Sequence, residues 1–345
     1  MPGPKKPASV AGVKSKLEEE IEKLDKKYGK GTVLTLDDKT TGDYDVISTG
    51  SIGFDHIALG TGGFVEGKVY ELMGWEGTGK STICGHAVAE CQKKGGIAAY
   101  IDGEHAVDKH YFEALGVDTS KLLIAQPNSG EEGFQIALDL IRTGEVKLII
   151  IDSDSSLMPK KVVDSDVGDS AIGKKAVLNN GVYPKLKNAC SDTGTCLIVI
   201  SQFREKIGVM FGNPTTTQGG HALKFYTDVR IEVSKSLAKD GDDTIGNITK
   251  IKVIKNKMGP PYRLCSFNIL YGMGIDKGGE ILELMNELEI GKKWGQTMTY
   301  KEKKYSLEDF MDKLSEEAFY DEIRQTIIDK LKNKIDESKN QEVST

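Results

Sequence analysis

Apolar positions along the chain fall into three regimes. Between residues 13 and 28, Val13, Leu17, Ile21, Leu24 and Tyr28 recur at helical spacing with charges between them, the pattern of an amphipathic helix. Ser15 and Glu18 have the spacing of a capping box, and Gly29 stands where such a helix stops. A lone stripe so far from the next element needs a surface to cover it, on its own chain or on a neighbour. From about residue 43 the pattern changes. Short apolar runs, VYELMG (69–74), IAAYID (97–102), LLIAQ (122–126), KLIIIDS (147–153) and CLIVIS (196–201), alternate with helical stretches such as 80–93 and 131–143. Runs without polar alternation, joined by helices, predict a parallel sheet buried on both faces. RIEVSKS (230–236), TKIKVIKNK (249–257) and CSFNILYG (265–272) follow with only turn-like links. They predict an antiparallel extension of the same sheet. Residues 277–335 return to helical patterning, and 336–345 is a polar tail expected to be disordered.

Composition narrows the class. A chain of 345 residues, 38% hydrophobic and 28% charged, has the makings of a globular protein of roughly two domains. No apolar run approaches the ~18–20 residues that span a bilayer, so no membrane association is expected. The N-terminal MPGPKKPASVAG carries no apolar segment after its lysines and does not read as a secretory signal. Five cysteines (Cys84, Cys91, Cys190, Cys196, Cys265) show no CxxC spacing and make an odd count. They read as reduced, mostly buried thiols of a cytoplasmic protein. The five scattered histidines suggest no metal site.

Charge matters through its distribution. The net charge of −6 argues against a broadly basic surface, yet residues 160–230 hold ten Lys and Arg against six Asp and Glu. That segment contains SQFREKIGVMFGNPTTTQGGHALKFY (201–226), polar and glycine-bearing between two apolar runs. A loop this long inside a compact domain is disordered or functional.

The clearest chemistry lies at the first strand–helix junction. GWEGTGKST, Gly74, Trp75, Glu76, Gly77, Thr78, Gly79, Lys80, Ser81 and Thr82, fits G-x-x-x-x-G-K-[ST] between an apolar run and a helix. Glycines there let backbone N–H groups curl around phosphate oxygens, which the helix N-terminus also favours. Lys80 would reach the β- and γ-phosphates, and the Ser81 hydroxyl would ligate Mg²⁺. ATP with Mg²⁺ is the implied ligand. Asp152 ends the run LIIID. A strand-end Asp can simply cap a helix, but beside a phosphate loop it reads as the Mg²⁺-holding carboxylate. Glu104, in YIDGEHA, is either a solvated turn residue or the group that polarises the attacking water.

Taken in order, these motifs resemble the bacterial-type RecA family of ATP-dependent DNA strand-exchange recombinases. The resemblance runs through ISTGSIGFDHIALGTGGF, the phosphate loop, YIDGEHAVDKHYFEALGVD, LIIIDS, VGDSAIG, REKIGVMFGNPTTTQGGHALKFY, KVIKNK and FNILYGMGI. It implies an α/β fold: a RecA-like P-loop ATPase core (43–276) on a central, mostly parallel β-sheet. An N-terminal helical oligomerisation segment (1–42) and a small α/β C-terminal domain (277–335) would flank it. It implies that Glu104 activates the hydrolytic water, that Asp108 and Tyr111 lie near the adenine, and that Gln202 senses the γ-phosphate. The stretches near 164–173 and 203–220 would be DNA-binding loops. In the second, Arg204 and Lys206 would supply counter-charge, Ile207 and Met210 an apolar wedge, and Gly219 and Gly220 close backbone approach to phosphates. Lys255 and Lys257 would reach a neighbour's ATP, and Phe225 would belong to the subunit contact.

The implied function is binding of single-stranded and double-stranded DNA by a helical homo-oligomeric filament that pairs homologous strands and hydrolyses ATP. Two other readings use the same core: a ring-forming helicase motor, and a filament scaffold that stimulates self-cleavage of a bound repressor. The chain also departs from the family pattern. SQ stands at 201–202, His56 reads as a one-residue insertion, and the C-terminal tail lacks a strongly acidic ending. In KKAVLNNGVYPKLKNA (174–189), Asn179, Asn180, Gly181 and Pro184 are expected to weaken or kink the helix beside the first DNA loop.

Overall fold

A computed structural model describes residues 16–29, 33, 44–166, 173–205, 215–217 and 221–343, the side chains beyond 334 excepted. The chain divides into two units, residues 1–44 and 45–345. In the first, α1 (Lys16–Tyr28) carries Glu18 and Glu19 in its opening turn and Lys26 and Lys27 in its last, charges that suit the helix dipole. None of its side chains is buried. Gly29 closes the helix at φ 109°, donating its N–H to Asp25 O. The capping box expected at Ser15 lies outside the described residues.

The second unit opens with β1 (Val46–Ile47) and β2 (Phe64–Val65), an antiparallel pair around a π-helical turn, Gly53–Leu59. The one-residue excess read at His56 falls inside that turn, and a wider turn is how a helix absorbs an added residue. Then follow β3 (Val69–Gly74), α2 (Lys80–Lys93), β4 (Ile97–Asp102), α3 (Lys109–Ala114), β5 (Leu123–Ala125), α4 (Gly130–Arg142) and β6 (Val146–Asp152). After α5 (Lys160–Val163) come α6 (Lys174–Thr193), β7 (Cys196–Glu205), β8 (Thr215–Thr217) and α7 (Ala222–Tyr226). A long hairpin of β9 (Val229–Asp240) and β10 (Asp243–Asn256) leads into β11 (Leu264–Leu270) and β12 (Gly274–Ile275).

The main sheet runs β12-β11-β10-β9-β3-β7-β6-β4-β5. From β9 to β5 neighbouring strands are parallel, and from β9 to β12 they are antiparallel. Successive side chains of a strand point to opposite faces. Leu148 and Ile150 therefore join one core with Ile83, Ala87 and Val88 of α2, while Ile149 and Ile151 join another with Phe134 of α4 and Leu186 of α6. Both faces are dry, which is why these strands read as unbroken apolar runs.

Parallel pairing also aligns the strand ends. Gly74 pairs with Gln202 and Asp102 with Asp152, so the residues that end β3, β6 and β4 share one edge with Gln202 of β7, where open α/β sheets bind ligands.

Two expectations are corrected. The weak stretch of 174–189 lies inside a continuous twenty-residue helix, α6, with Pro184 in its interior. Packing overrides propensity here: Asn179, Tyr183 and Leu186 are buried against the body of the protein. Residues beyond 335, expected to be disordered, belong to α10 (Glu317–Val343) as far as Val343. Residues 336–343 are free of Gly and Pro and include Glu337, Lys339, Gln341 and Glu342, residue types that favour helix.

Between 277 and 343 the chain is not helical throughout. Helix α8 (Lys277–Glu287) is followed by β13 (Lys292–Trp294), β14 (Thr297–Tyr300) and β15 (Lys303–Ser306), an antiparallel meander, before α9 (Leu307–Leu314) and α10. Met298, Tyr300, Phe310, Ile323 and Ile327 form its core together with Ile52. Glu280 fastens it to the body: its carboxylate accepts from Ser51 Oγ and from the N–H groups of Ile52 and Gly53. Among the described residues, no helix is long and apolar enough to cross a membrane.

Candidate nucleotide site and its link to the DNA loops

The phosphate loop is built by backbone conformations that its glycines permit. Gly77 and Gly79 adopt φ of 68° and 90°, in the left-handed region that side chains disfavour. A Cβ on Gly74 would lie 2.2 Å from Val233 O, so the loop can leave β3 there only with glycine. Lys80 opens α2, and its Nζ donates to Trp75 O (2.7 Å) and Gly74 O (3.2 Å). Burial lowers its pKa. The ammonium is thus held inside the curl of the loop, where phosphate oxygens would meet it.

Asp152 and Ser81 come together as expected, with Ser81 Oγ donating to Asp152 Oδ2 at 2.7 Å. Tyr100 OH donates to the same oxygen at 2.6 Å. Burial raises the Asp152 pKa, since its bonding partners are neutral hydroxyls. A buried carboxylate beside a hydroxyl, both hard oxygen donors at a phosphate loop, fits Mg²⁺.

The residues expected to activate water and to sense the γ-phosphate also meet. Gln202 Nε2 donates to Glu104 Oε1 at 2.8 Å, and Ser153 Oγ donates to the same oxygen at 2.7 Å. Glu104 follows β4, Gln202 lies on β7 and Ser153 follows β6. Residues from three strands or their ends therefore meet at one carboxylate.

Lys80, Ser81, Asp152, Glu104 and Gln202 line an open cleft of ≈ 370 Å³ whose walls also include Tyr111 and Tyr271. Tyr111 OH lies 2.8 Å from Thr82 Oγ1. Asp108 is the N-cap of α3, accepting from Tyr111 N at 2.7 Å, and so fixes Tyr111 without lining the cleft. Sequence reasoning gave no role to Tyr271, Asn247 and Ile269, which line it, or to Tyr100 and Ser153, which hold its two carboxylates. Tyr271 had a signal, a large aromatic at the end of the run FNIL and before a glycine.

Other expected residues lie away from the cleft. Lys255 Nζ donates to the carbonyls of Lys224 (2.7 Å), Thr227 (2.7 Å) and Phe225 (3.3 Å), capping the C-terminal end of α7. Lys257 faces Asp228 at 3.4 Å. Phe225 is 70% exposed. Arg204 sits on β7, which pairs with β8 through Phe203–Thr217, Arg204–Thr216 and Glu205–Thr215. The stretch expected as the second DNA loop thus has strand ends forming a hairpin. Lys206, Ile207, Met210, Gly219 and Gly220 lie outside the described residues, as do 167–172 of the first loop.

Comparison with known proteins agrees with this geometry. Residues 15–276 match the model of the RecA N-terminal domain. The chain is 51% identical to Protein RecA of Cytophaga hutchinsonii over 282 residues, 81% of this chain and 79% of that protein. It is 47% identical to Protein RecA of Corynebacterium jeikeium over 303 residues, 87% and 80% of the two chains. With Protein RecA of Bacillus mycoides the identity is 46% over 285 residues, 82% and 83%.

Proposed function

The chain belongs to the RecA family, and from that premise we propose how its own residues join ATP hydrolysis to DNA. It is a P-loop, DNA-dependent ATPase of homologous recombination and DNA repair. The family binds nucleotide and DNA, forms filaments and takes part in the SOS response.

In our reading the backbone from Gly74 to Thr82 cradles the phosphates of ATP, Lys80 neutralises the β- and γ-phosphates, and Tyr111 and Tyr271 flank the base. Ser81 and Asp152 would hold Mg²⁺, which supplies positive charge against the phosphates. Glu104 orients and deprotonates the attacking water. Gln202 is at once a ligand of Glu104 and the second-last residue before Arg204, so it carries the state of the cleft into the β7–β8 hairpin. The Gln202–Glu104 hydrogen bond at 2.8 Å is the observation that carries this reading.

DNA is gripped by the hairpin and by the segment near 164–173. Arg204 and Lys206 face phosphates, Gly219 and Gly220 bring backbone N–H groups close, and Ile207 and Met210 fill gaps between unstacked bases. A grip led by the backbone is indifferent to sequence, which leaves recognition to pairing between strands. Neighbouring subunits meet through α1 and Phe225, with Lys255 and Lys257 reaching the next subunit's ATP. We place the protein in the cytoplasm, where the free thiols it carries persist.

The test is ATP hydrolysis with and without homopolymeric single-stranded DNA, for the wild type, Lys80→Ala and Glu104→Gln. DNA should stimulate the wild type strongly. A positioned general base contributes roughly 10²–10⁴-fold, so Glu104→Gln should lose turnover on that scale while still binding ATP. Wild-type hydrolysis indifferent to DNA would overturn the reading. A repressor held by the filament would need the filament and not the turnover, so Glu104→Gln also separates that role from recombination.

A further inference from the structure

At the start of α6 lies a buried polar cluster that the nucleotide site does not use. Asp154, two residues after Asp152, is 1% exposed. Its carboxylate accepts from Tyr183 OH at 2.6 Å and from Asn179 Nδ2 at 3.1 Å through both oxygens, and it faces Lys175 Nζ at 3.4 Å. All three partners come from α6, the helix that follows the segment, and Lys175 is its second residue. Lys175 also donates to Leu157 O and lies over the Phe134 ring at 5.0 Å, the ring that Tyr183 meets edge to face.

A buried ion pair is weak evidence for stability, because desolvation offsets its attraction; its best-attested use is to fix a register. The register at stake here is that of a helix with a weak middle. Asn180 and Gly181 disfavour helix, and Pro184 cannot donate to the carbonyl one turn back. Asn179 and Tyr183 stand on either side of Asn180 and Gly181, and Tyr183 directly precedes Pro184; both are tied to Asp154. On its other side Asp154 belongs to the nucleotide site's framework. Its N–H donates to Ile200 O of β7, two residues before Gln202, and the preceding Ser153 holds Glu104.

We propose that Asp154 is a positioning residue that couples the catalytic carboxylate to the first DNA loop, by holding α6 in register with the ends of β6 and β7. The inference rests on the functional reading above and names the path of its coupling through this loop. DNA bound by the first DNA loop acts on α6, and α6 acts through Asp154 on the backbone that presents Ser153 and Gln202 to Glu104.

The experiment measures hydrolysis with and without oligo-dT, together with oligo-dT affinity, for Tyr183→Phe, Asp154→Asn and Asp154→Asn with Pro184→Ala. Tyr183→Phe removes one hydroxyl and keeps the shape. A hydrogen bond to a charged group is worth roughly ten- to a hundredfold, and Asp154 keeps its bonds to Asn179 and its pairing with Lys175, so this variant should lose roughly three- to tenfold of the DNA stimulation and keep DNA-free hydrolysis within about twofold. Asp154→Asn should lose more. Pro184→Ala, by strengthening the helix itself, should restore part of it; the ratio of DNA-stimulated to DNA-free hydrolysis is the readout that a merely structural role for Asp154 would leave unchanged. Stimulation equal to wild type in Tyr183→Phe and Asp154→Asn overturns the proposal. So does equal loss of DNA-free and DNA-stimulated rates in Tyr183→Phe, a result that stands even if Asp154→Asn does not fold. If the wild type itself shows no stimulation, the functional reading fails instead, so the two failures are distinguishable.

Discussion

Trp75 meets Phe203 edge to face, with ring centroids 6.0 Å apart and planes at 73°. The two rings join the phosphate loop to the hairpin that follows Gln202. The Trp75 carbonyl accepts from Lys80 Nζ and Thr78 Oγ1, so the indole is anchored to the loop's charged centre. Phe203 pairs with Thr217 at the base of the hairpin. A movement of either loop must therefore slide one ring along the other.

Trp75→Ala should weaken this link without removing a phosphate ligand. An aromatic pair is worth about 0.5–1.5 kcal/mol beyond its area, so DNA-stimulated hydrolysis should fall roughly two- to tenfold while ATP binding changes little. The indole is also a reporter, being 46% exposed. The other tryptophan of the chain, Trp294, is 86% exposed. In a Trp294→Phe background, Trp75 emission should change on adding single-stranded DNA; an unchanged spectrum would show that the rings do not respond to the hairpin.

Lys255→Ala should act twice. Within its own subunit Lys255 satisfies three carbonyls at the end of α7, and a cation at a helix C-terminus contributes about 0.3–1 kcal/mol. A melting curve should show a loss of that size. If Lys255 also serves the neighbour's ATP, DNA-stimulated turnover should collapse far beyond what so small a loss explains, with ATP binding to the isolated subunit intact. Turnover reduced only in proportion to stability would assign Lys255 to α7 alone.

The sequence announced the nucleotide site because its chemistry is local. Gly74 to Thr82 are contiguous, Asp152 ends an apolar run that a parallel sheet must align, and Glu104 closely follows another. What it hid depends on partners distant in the chain. Lys255 caps a helix thirty residues earlier, and Tyr100 and Ser153 gain meaning only when β4 and β6 lie side by side. The β9–β10 hairpin is longer than expected, although Asp240-Gly241 carries a turn signal. The strands Lys292–Trp294 and Lys303–Ser306 are short, lysine-rich and largely exposed, so they lack the apolar alternation by which a strand is recognised. Helix α6 misled in the opposite sense: its residues read as a weakened or kinked helix, and burial on Asp154 and the sheet outweighs them.

Pro184→Ala tests that balance directly. Pro184 is half-buried inside α6, so alanine fits without overlap and restores a missing donor. Proline costs a helix interior about 3 kcal/mol relative to alanine, and part of that is already absorbed by the native packing. The variant should gain about 1–3 kcal/mol in urea unfolding. No gain would mean that the helix has bent to accommodate the ring at no cost.

Asp55 gives stability a pH dependence of defined sign. Its carboxyl is fully buried in the π-helical turn, bonded to Ser48 Oγ at 2.6 Å and Thr49 N at 2.9 Å, and burial raises its pKa from 3.8 to about 7. Between those values the folded chain holds a proton that the unfolded chain has released. Stability from this group is therefore full below about pH 4, declines as pH rises, and is lost above about pH 7. At 1.36 kcal/mol per unit, the decline is roughly 4 kcal/mol at most. Asparagine resembles the protonated acid, with one acceptor and a donor group. The stability of Asp55→Asn relative to wild type should thus improve steadily from pH 4 to pH 7 and then level off. Urea unfolding of both proteins across that range measures the difference, in which the titration of His56 and other shared groups cancels. A constant offset between the two would show that Asp55 is ionised in the folded protein throughout.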